Sequence, residues 1–384
     1  MNGGVPPDSL SAVRDELART GSEVTPHQVA RALRQRGRPV GDAEVLAVHD
    51  ALRRDVLGAG PLEDLLALPG VTDVLVNGAE EVWIDRGQGL ELTSVRFDDE
   101  DAVRRLAQRL ATVGGRRLDT ASPYVDLRLP DGTRFHAVLH PIARPGTMIS
   151  LRVPSRRTLD LAAIEASGAI SSDGAALLRQ VVARRLAFLV TGGTGTGKTT
   201  LLGALLSLVD PAHRIVLVED ASELRPQHPH VVALESRPAN VEGAGEVPLR
   251  TLVRQALRMR PDRLVVGEVR GAEVVDLMAA MNTGHEGGCG TLHANSAGDV
   301  PARIESLAMA AGLGREAAAS QLASAVDAVI HLDRGPAGQR AVREIGVVVR
   351  TGATAEVLTA VRFGSEQGTE CGPGFARLEM LLAR

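Results

Sequence analysis

A single lysine constrains this chain more than any other feature, because of where it lies. The 384 residues include 43 lysines and arginines, and only Lys198 is a lysine. It belongs to the run Gly-Gly-Thr-Gly-Thr-Gly-Lys-Thr at residues 192–199, which has the spacing of a phosphate-binding loop. A compact ammonium on a flexible stem can reach between two phosphate groups, where a planar guanidinium fits less well. The loop therefore predicts binding of a nucleoside triphosphate.

The residues on either side of this loop support the prediction. Residues 186–190 form an apolar run of strand length, and leucines recur at helical spacing after Lys198. In a strand–loop–helix unit the glycines let backbone N–H groups point at phosphates, and the helix N-terminus adds a favourable dipole. We expect Thr199 to be a ligand of Mg²⁺. The predicted ATP-binding residues are Gly192, Gly193, Thr194, Gly195, Thr196, Gly197, Lys198, Thr199 and Thr200.

Composition narrows the class of protein. A hydrophobic fraction of 44% is ordinary for a globular chain, and the formal net charge is −4. This charge and the few aromatic residues argue against direct binding of nucleic acid. Two cysteines, Cys289 and Cys371, cannot form a disulfide framework or a multi-cysteine zinc site, which indicates a reducing compartment. No run approaches the roughly 18 apolar residues of a membrane span, and the first residues do not resemble a signal peptide. We expect a cytoplasmic protein that reaches a membrane only through a partner.

The first part of the chain is predicted to form a small helical bundle. Residues 1–58 begin with a Gly- and Pro-rich stretch and then show three short helical patterns. The second helix starts at the capping box Thr25–Gln28 and is expected to end near Gly37. The third is capped by Asp42. Nothing in these residues suggests chemistry.

Two α/β regions follow the bundle. Residues 59–153 show short strands around an Asn77–Gly78 turn, a strand over 90–97, a helix over 99–113 and a further hairpin. Residues 154–170 are predicted to be a linker. From 171 to 384, strand-length runs alternate with helical patterns, which indicates a parallel sheet covered on both faces.

Acidic residues end two strands of this last region. Glu219 and Asp220 follow an apolar run, and Glu268 follows another. Open α/β sheets bind ligands beyond the carboxyl ends of their strands, where an acid can hold Mg²⁺ through water or orient an attacking water. We expect Glu268 to do so and take Glu219 as a second candidate. The alternative at each position is a solvated acid.

Two histidines follow in a glycine-rich stretch. His285 and His293 are catalytic candidates beside a triphosphate site, and a structural role is an equal alternative. The spacing does not suggest zinc, because no cysteine pair or close histidine pair completes a ligand set.

Arginines cluster at two places. Arg134 and Arg152 each lie in a strand pattern of the domain before the phosphate loop. They are expected either to face a neighbour's phosphates or to be exposed strand cations. A second group is expected to form a solvated face or a subunit contact. Its members are Arg250, Arg254, Arg258, Arg260 and Arg263.

Taken together, these motifs resemble the secretion ATPase superfamily of type II and type IV secretion and type IV pili. Residues 58–66 and 76–78 are similar to its tight-adherence (TadA/CpaF-like) branch, and the four-cysteine zinc module of the type II branch is absent from the sequence. The resemblance covers roughly residues 55–350. The segments that carry it are the phosphate loop 192–199, the acidic box 219–224, residues 257–263 and 267–270, and the histidine motifs at 283–285 and 291–295.

The resemblance implies an assembly and a task. It implies a homo-hexameric, Mg²⁺-dependent ATPase ring whose subunits combine a PAS-like α/β N-terminal domain with a RecA-like motor. Such a ring would drive integral membrane platform proteins in secretion or in assembly of a Tad-type pilus. Many relatives carry a hydroxyl-rich stretch where this chain has Gly288-Cys289-Gly290.

The resemblance also implies residue roles. Lys198 and Thr199 would contact phosphate and Mg²⁺, Glu268 would activate water and assist with Mg²⁺, and Glu219 matches the first acid of the acidic box. The remaining implied roles are sensing of the γ-phosphate by His293 and His285, and contact across the subunit boundary by Arg134 and Arg152.

Two other classes of function stay open at this point. A RecA-like nucleic-acid translocase or DNA-transfer ATPase would share the motor, and DNA-independent ATPase activity would argue against it. A nucleotide-gated scaffold would bind ATP without turning it over.

Overall fold

The computed structural model places the chain in two compact units. Unit 1 comprises Met1–Ser155 and unit 2 comprises Arg156–Arg384. The described residues are 25–34, 41, 45, 48, 58–87, 89–153, 159–237, 239, 243–284, 286–335, 338–364 and 368–384. Within these ranges, no helix combines the length and apolar character that crossing a bilayer requires.

One helix of the predicted N-terminal bundle lies within the described residues. Helix α1 (Pro26–Arg34) begins at the predicted capping box, where Thr25 Oγ1 accepts a 3.3 Å hydrogen bond from the Gln28 backbone N–H. Proline at the first helical position sacrifices no helical hydrogen bond. The other two predicted helices fall largely or wholly outside the described residues.

The described part of unit 1 contains a six-stranded antiparallel sheet in the order β3-β2-β1-β6-β5-β4. Helix α3 covers one face, and apolar residues of both form the core, among them Val76, Leu106 and Phe135. Asp99 caps α3 by accepting a 2.7 Å hydrogen bond from the Ala102 backbone N–H. The elements are α2 (Glu63–Leu66), β1 (Asp73–Asn77), β2 (Glu81–Asp85), β3 (Leu90–Leu92), α3 (Glu100–Val113), β4 (Tyr124–Arg128), β5 (Arg134–Val138) and β6 (Met148–Arg152).

Strand β3 is shorter than the predicted strand over residues 90–97. It ends at Leu92, and Thr93 Oγ1 then donates a 2.9 Å hydrogen bond to the Val82 carbonyl. The same oxygen accepts from the Val95 backbone N–H at 3.2 Å. A threonine hydroxyl that binds a backbone N–H two residues later competes with the strand ladder, so the ladder stops here.

Unit 2 is built on a mixed sheet in which nine described strands follow the order β15-β14-β13-β12-β7-β11-β10-β8-β9. The six strands from β12 to β9 run parallel. Buried apolar clusters lie on both faces of this sheet. The strands are β7 (Phe188–Gly192), β8 (Ile215–Glu219), β9 (Val231–Glu235), β10 (Arg263–Val269), β11 (Cys289–Leu292), β12 (Ala328–Arg334), β13 (Arg340–Thr351), β14 (Thr354–Phe363) and β15 (Thr369–Cys371).

Eight described α-helices accompany these strands, and the first of them modifies a prediction. Helix α4 lies inside the stretch predicted to be a linker, where Asp160 caps it and Leu161 and Ile164 are buried. The helices are α4 (Leu161–Ala166), α5 (Ser172–Ala183), α6 (Lys198–Leu206), α7 (Leu249–Ala256), α8 (Glu273–Asn282), α9 (Val300–Ala310) and α10 (Arg315–Ala325), and α11 (Phe375–Leu382) closes the chain.

The expectation of a purely parallel sheet is wrong at one edge. Strands β13, β14 and β15 pair antiparallel with their neighbours. The connection between β13 and β14 is a tight turn at Gly352, whose φ of +64° suits glycine. A connection this short can only return the chain antiparallel, because a parallel crossover needs a dozen residues or more.

Candidate functional site

The phosphate-loop sequence connects the buried strand β7 to helix α6. Residues 193–195 are exposed, and Lys198 opens the helix. Gly195 and Gly197 have φ values of +70° and +98°, a backbone conformation that other residues adopt only with strain. The loop lies at the carboxyl ends of the parallel strands, where α/β sheets bind ligands. The predicted strand–loop–helix unit is therefore present.

Lys198 points into the protein rather than out of the loop. Its side chain is 7% exposed, and Nζ donates hydrogen bonds to the carbonyls of Gly192 at 3.0 Å and Gly193 at 2.9 Å. Burial lowers the pKa of Lys198, the carboxylate of Glu268 opposes this shift, and Arg270 adds to it. The ammonium group is thus hydrogen-bonded to the backbone of the same loop in which it is expected to bind phosphate.

The threonines of the loop are placed differently from one another. Thr196 is buried, and its hydroxyl donates to the Gly193 carbonyl at 3.0 Å, which closes the loop on itself. Thr199 is half-buried in the first turn of α6, whereas Thr194 and Thr200 are exposed.

Glu268 and His293 meet beside Lys198. Glu268 lies on β10, and His293 directly follows the neighbouring strand β11. His293 Nε2 lies 2.8 Å from Glu268 Oε1 and 3.5 Å from Lys198 Nζ. Burial lowers the pKa of His293, and the charge of Lys198 lowers it further. Both effects favour the neutral form of the ring, and the nearby carboxylate of Glu268 opposes them. The structure thus brings three predicted site residues into one cluster.

Arg270 is a member of this cluster that the sequence analysis missed. Its Nη2 donates to Glu268 Oε2, and this hydrogen bond raises the pKa of Arg270. Arg270 lies two residues after Glu268 in the run Gly-Glu-Val-Arg. Residues at i and i+2 of a strand lie on the same face, so the alternation rule could have identified Arg270 as a partner.

Glu219 is buried next to the backbone that carries Glu268. Its side chain is 3% exposed, and Oε1 accepts hydrogen bonds of 3.0 Å from the backbone N–H groups of Glu223 and Leu224. Oε2 has no hydrogen-bond partner among the described residues. A Cβ added to Gly267 would lie 2.6 Å from Glu219 Cγ, so the Glu219 side chain packs closely against the Gly267 backbone. Burial raises the pKa of Glu219 to about 7.

The site has oxygen donors suited to a magnesium–nucleotide complex. Glu268 Oε1 is buried and, within the described residues, receives no hydrogen bond of good geometry although His293 lies close to it. A hard cation prefers such carboxylate and hydroxyl oxygens. Together with Thr199 at the start of α6, these donors fit the predicted ion.

The other predicted acidic and histidine residues have simpler surroundings. Asp220 is exposed, and its Oδ1 accepts a 3.2 Å hydrogen bond from the Ser236 hydroxyl. His285 lies outside the described residues, so its expected role is unchanged.

Arg134 and Arg152 belong to unit 1, where they form part of a row. Arg152 pairs in register with Arg134 across β6 and β5, and Arg134 pairs with Arg128 across β5 and β4. Residues directly opposite each other in a sheet lie on the same face. Arg134 and Arg152 are exposed, and neither makes a hydrogen bond or an ion pair to another described residue.

The second arginine group does not form a single surface. Arg250 and Arg254 each donate a 2.7 Å hydrogen bond to Asp276 of α8, so they hold two helices together. Arg263 is 2% exposed and donates to the carbonyls of Val182 and Gly287. The expected solvated face or subunit contact is therefore wrong for Arg263, because β10 begins at this residue and carries it into the core.

Comparisons with known proteins agree with this architecture. Residues 55–376 match the type II/IV secretion system protein family. The chain is 57% identical over 326 residues to the putative conjugal transfer protein Rv3659c of Mycobacterium tuberculosis, an alignment that covers 83% of this chain and 93% of the relative.

Two solved structures share the fold at low sequence identity. One is the pilus retraction motor PilT with bound ADP, with a TM-score of 0.53, 22% identity, and coverage of 74% of this chain and 80% of that chain. The other is the ATPase DotB of Yersinia pseudotuberculosis, with a TM-score of 0.55, 18% identity, and coverage of 79% and 80%.

These findings confirm the predicted α/β class with a RecA-like motor, and they confirm the resemblance to secretion ATPases. The tight-adherence branch stays a prediction. Because the family match spans most of the chain and the relative is aligned over nearly its whole length, the chain belongs to the type II/IV secretion system protein family.

Proposed function

We propose that this protein is a Mg²⁺-dependent ATPase that drives a secretion system or the assembly of a Tad-type pilus. The observation that carries the proposal is the cluster of Lys198, Glu268 and His293 at the phosphate loop, with contacts of 2.8 and 3.5 Å. The solved structures that share the fold are a pilus motor with bound ADP and an ATPase.

Hydrolysis in such a site depends on positioning and on stabilisation of charge. The backbone N–H groups of the glycine loop and the N-terminus of α6 would hold the β-phosphate. Lys198 would exchange its two carbonyl partners for phosphate oxygens. This exchange is possible because Nζ donates both hydrogen bonds and lies at the end of a flexible side chain. Glu268 would orient and deprotonate the attacking water.

Thr199 and Glu268 are the residues that would hold Mg²⁺, which when bound offsets negative charge on the phosphate oxygens. His293 would report on the γ-phosphate, since its neutral ring can donate or accept a hydrogen bond next to both Lys198 and Glu268. Glu219 would act indirectly, because its carboxyl contacts Gly267 and the acidic-box backbone rather than the loop.

The family resemblance implies a ring of six subunits, and in such a ring the arginine row of unit 1 would have a role. Arg134 and Arg152 are exposed cations on one face that form no hydrogen bond or ion pair with another described residue, and Asp73 is the anionic neighbour of Arg152 in register. Guanidinium groups suit bidentate contact with phosphate, and an arginine supplied by a neighbour stabilises the transition state of phosphoryl transfer. In this proposal the row of one subunit serves the loop of the next, and the hexamer sits at the inner membrane face through an integral platform protein.

A direct test is phosphate release from ATP by the purified full chain, with Mg²⁺ or with excess chelator, and with or without DNA. We expect turnover that needs Mg²⁺ and is unchanged by DNA. Binding of ATP without turnover would instead indicate a nucleotide-gated scaffold.

One observation favours a second candidate, a DNA-transfer ATPase. The relative with 57% identity is named a putative conjugal transfer protein. A protein that acts directly on DNA would bind it with a steep dependence on salt and would hydrolyse ATP faster in its presence. The net charge of −4 argues for a role in which a partner, rather than this chain, contacts the DNA.

A further inference from the structure

Arg334 is an exposed cation that contacts the phosphate loop although it lies far from it in the sequence. It ends β12, and its Nη2 donates a 3.0 Å hydrogen bond to the carbonyl of Gly195, at the exposed part of the loop. A Cβ built on Gly195 would lie 2.9 Å from the same nitrogen. The guanidinium group therefore packs directly against the loop backbone, and the proposed chemistry does not use it.

This contact determines the orientation of one peptide group of the loop. The peptide between Gly195 and Thr196 is trans, and in a trans peptide the carbonyl and the following N–H point in opposite directions. Because Arg334 holds the Gly195 carbonyl, it turns the Thr196 N–H away from itself. Within the described residues, the Thr196 N–H donates to no other backbone group, so it is available to a phosphate oxygen.

Arg334 and Lys198 both hold carbonyls of the loop, but a bound nucleotide would affect them differently. Lys198 is expected to give up its two carbonyl partners for phosphate oxygens. The hydrogen bond of Arg334 lies on the opposite side of its peptide group from the N–H that would bind phosphate, so it can persist in the complex. A loop with several glycines has much conformational freedom to lose, and a contact that restricts it beforehand lowers the cost of binding.

We propose that Arg334 is a positioning residue for nucleotide binding, which holds the phosphate loop in its phosphate-receiving shape before the nucleotide arrives. The inference rests on the proposed function. Without this hydrogen bond, the loop also adopts conformations in which the Thr196 N–H does not face the ligand. The apparent affinity then falls in proportion to the population of the competent loop. Once phosphate is bound it orders the loop itself, so the chemical step keeps its rate.

Arg340 provides a matched control for the charge of Arg334. The two residues pair in register across β12 and β13, and both side chains are exposed. A Cβ built on Gly197 would lie 3.7 Å from Arg340 Cδ, so Arg340 adjoins the same loop. Its side chain makes no hydrogen bond to another described residue. The two arginines thus place the same charge beside the loop, and Arg334 alone of the pair is hydrogen-bonded to it.

The experiment combines titration of the full chain with fluorescently labelled ADP in the presence of Mg²⁺ and steady-state ATP turnover. Arg334→Ala should raise the Kd for ADP and the KM for ATP about 10-fold, as loss of one charge-assisted hydrogen bond does, with kcat changed by less than about threefold. Arg340→Ala should change all three by less than about threefold, because solvent and salt screen an exposed charge. Arg334→Lys keeps a cationic donor and should recover part of the loss. Arg334→Met keeps the apolar stem and tests the same hydrogen bond if the alanine variant folds poorly.

Equal losses of affinity in Arg334→Ala and Arg340→Ala would show that charge near the loop matters rather than the hydrogen bond, and would overturn the inference. A fall in kcat at unchanged affinity would overturn it too, as would a large loss of melting temperature without nucleotide. A wild-type protein that neither binds ADP nor turns over ATP would contradict the proposed function. Wild-type binding that Arg334→Ala leaves intact would contradict the positioning role alone.

Discussion

In unit 2, two charged residues of the candidate site, Lys198 and Glu219, are buried and Glu268 is half-buried, whereas in unit 1 two neighbouring arginines are exposed and form no ion pair with another described residue. Lys198 and Glu219 are 7% and 3% exposed, and each is held by backbone groups of its own unit. Arg134 and Arg152 stand side by side in register and form no ion pair with another described residue, although Asp73 lies opposite Arg152 across β1 and β6.

The difference has an energetic meaning. Buried charges must be compensated within the fold, so the cluster around Lys198 is arranged before any ligand arrives. Adjacent like charges on a sheet repel each other, and that arrangement becomes favourable when an anion binds both. The site in unit 2 is thus arranged for phosphate before a ligand binds, whereas the arginines of unit 1 would be stabilised by binding an anion.

The largest expected effect comes from the lysine. Lys198→Ala should reduce ATP turnover to the assay background, because no other cation of the loop can reach the phosphates. The charge-keeping variant Lys198→Arg should lose nearly as much, since a planar guanidinium does not fit the space between Gly192 and Gly193. Phosphate release and thermal melts of both variants are the measurements. A folded Lys198→Ala protein with wild-type turnover would refute the assignment of the loop.

Removal of an unpaired arginine should have the next largest effect. Arg152→Ala and Arg134→Ala should each lower kcat by roughly 10³-fold or more if they act as arginine fingers. Arg117→Ala is the matched control, because Arg117 is an exposed arginine of the same unit that is already paired with Asp119. Steady-state kinetics of assembled protein decides the matter. Equal activity of all three variants would show that the row is not part of the site.

Glu268→Gln should separate binding from chemistry. The amide keeps the shape of the side chain and cannot accept a proton from water, so turnover should fall about 10²- to 10⁴-fold while ATP still binds. Titration with a fluorescent ATP analogue and phosphate release are measured on the same preparation. If affinity collapses in a folded protein, the residue mainly organises Mg²⁺.

The smallest expected effect concerns stability and Glu219. Its pKa is about 7 in the folded protein against an ordinary value of 4.5. The folded state holds a proton that the unfolded chain releases, so the contribution of this group to stability declines as pH rises through that window. Glu219→Gln removes the titration and should gain about 1–3 kcal/mol relative to wild type between about pH 5 and 8. Thermal melts across this range would reveal it, with exposed Glu286→Gln as the control. A difference independent of pH would contradict the buried, titrating carboxyl.

Much of this architecture could be predicted because the signals are local. The phosphate loop, the strand ends at Glu219 and Glu268 and the helix cap at Asp99 each depend on a few consecutive residues. Periodicity and capping report such features directly. The antiparallel edge β13–β15 was missed because strand direction depends on connection length and on pairing far along the chain.

Contacts within the site needed three-dimensional information. The distance between His293 and Glu268 depends on the adjacency of β11 and β10, which one sequence does not reveal. The burial of Arg263 has the same origin, because it depends on how β10 packs within the sheet.

Mixing of inactive subunits tests the relation between the two units most directly. Arg152→Ala chains keep an intact loop, and Lys198→Ala chains keep an intact arginine row. If one subunit's row serves its neighbour's loop, mixed rings should regain turnover at boundaries that join the two intact parts. Rings of Lys198→Ala with Glu268→Gln should stay inactive, because both changes damage the same unit 2 site. Recovery in the first mixture alone is the expected result, and no recovery in rings verified to contain both variants would contradict the shared site.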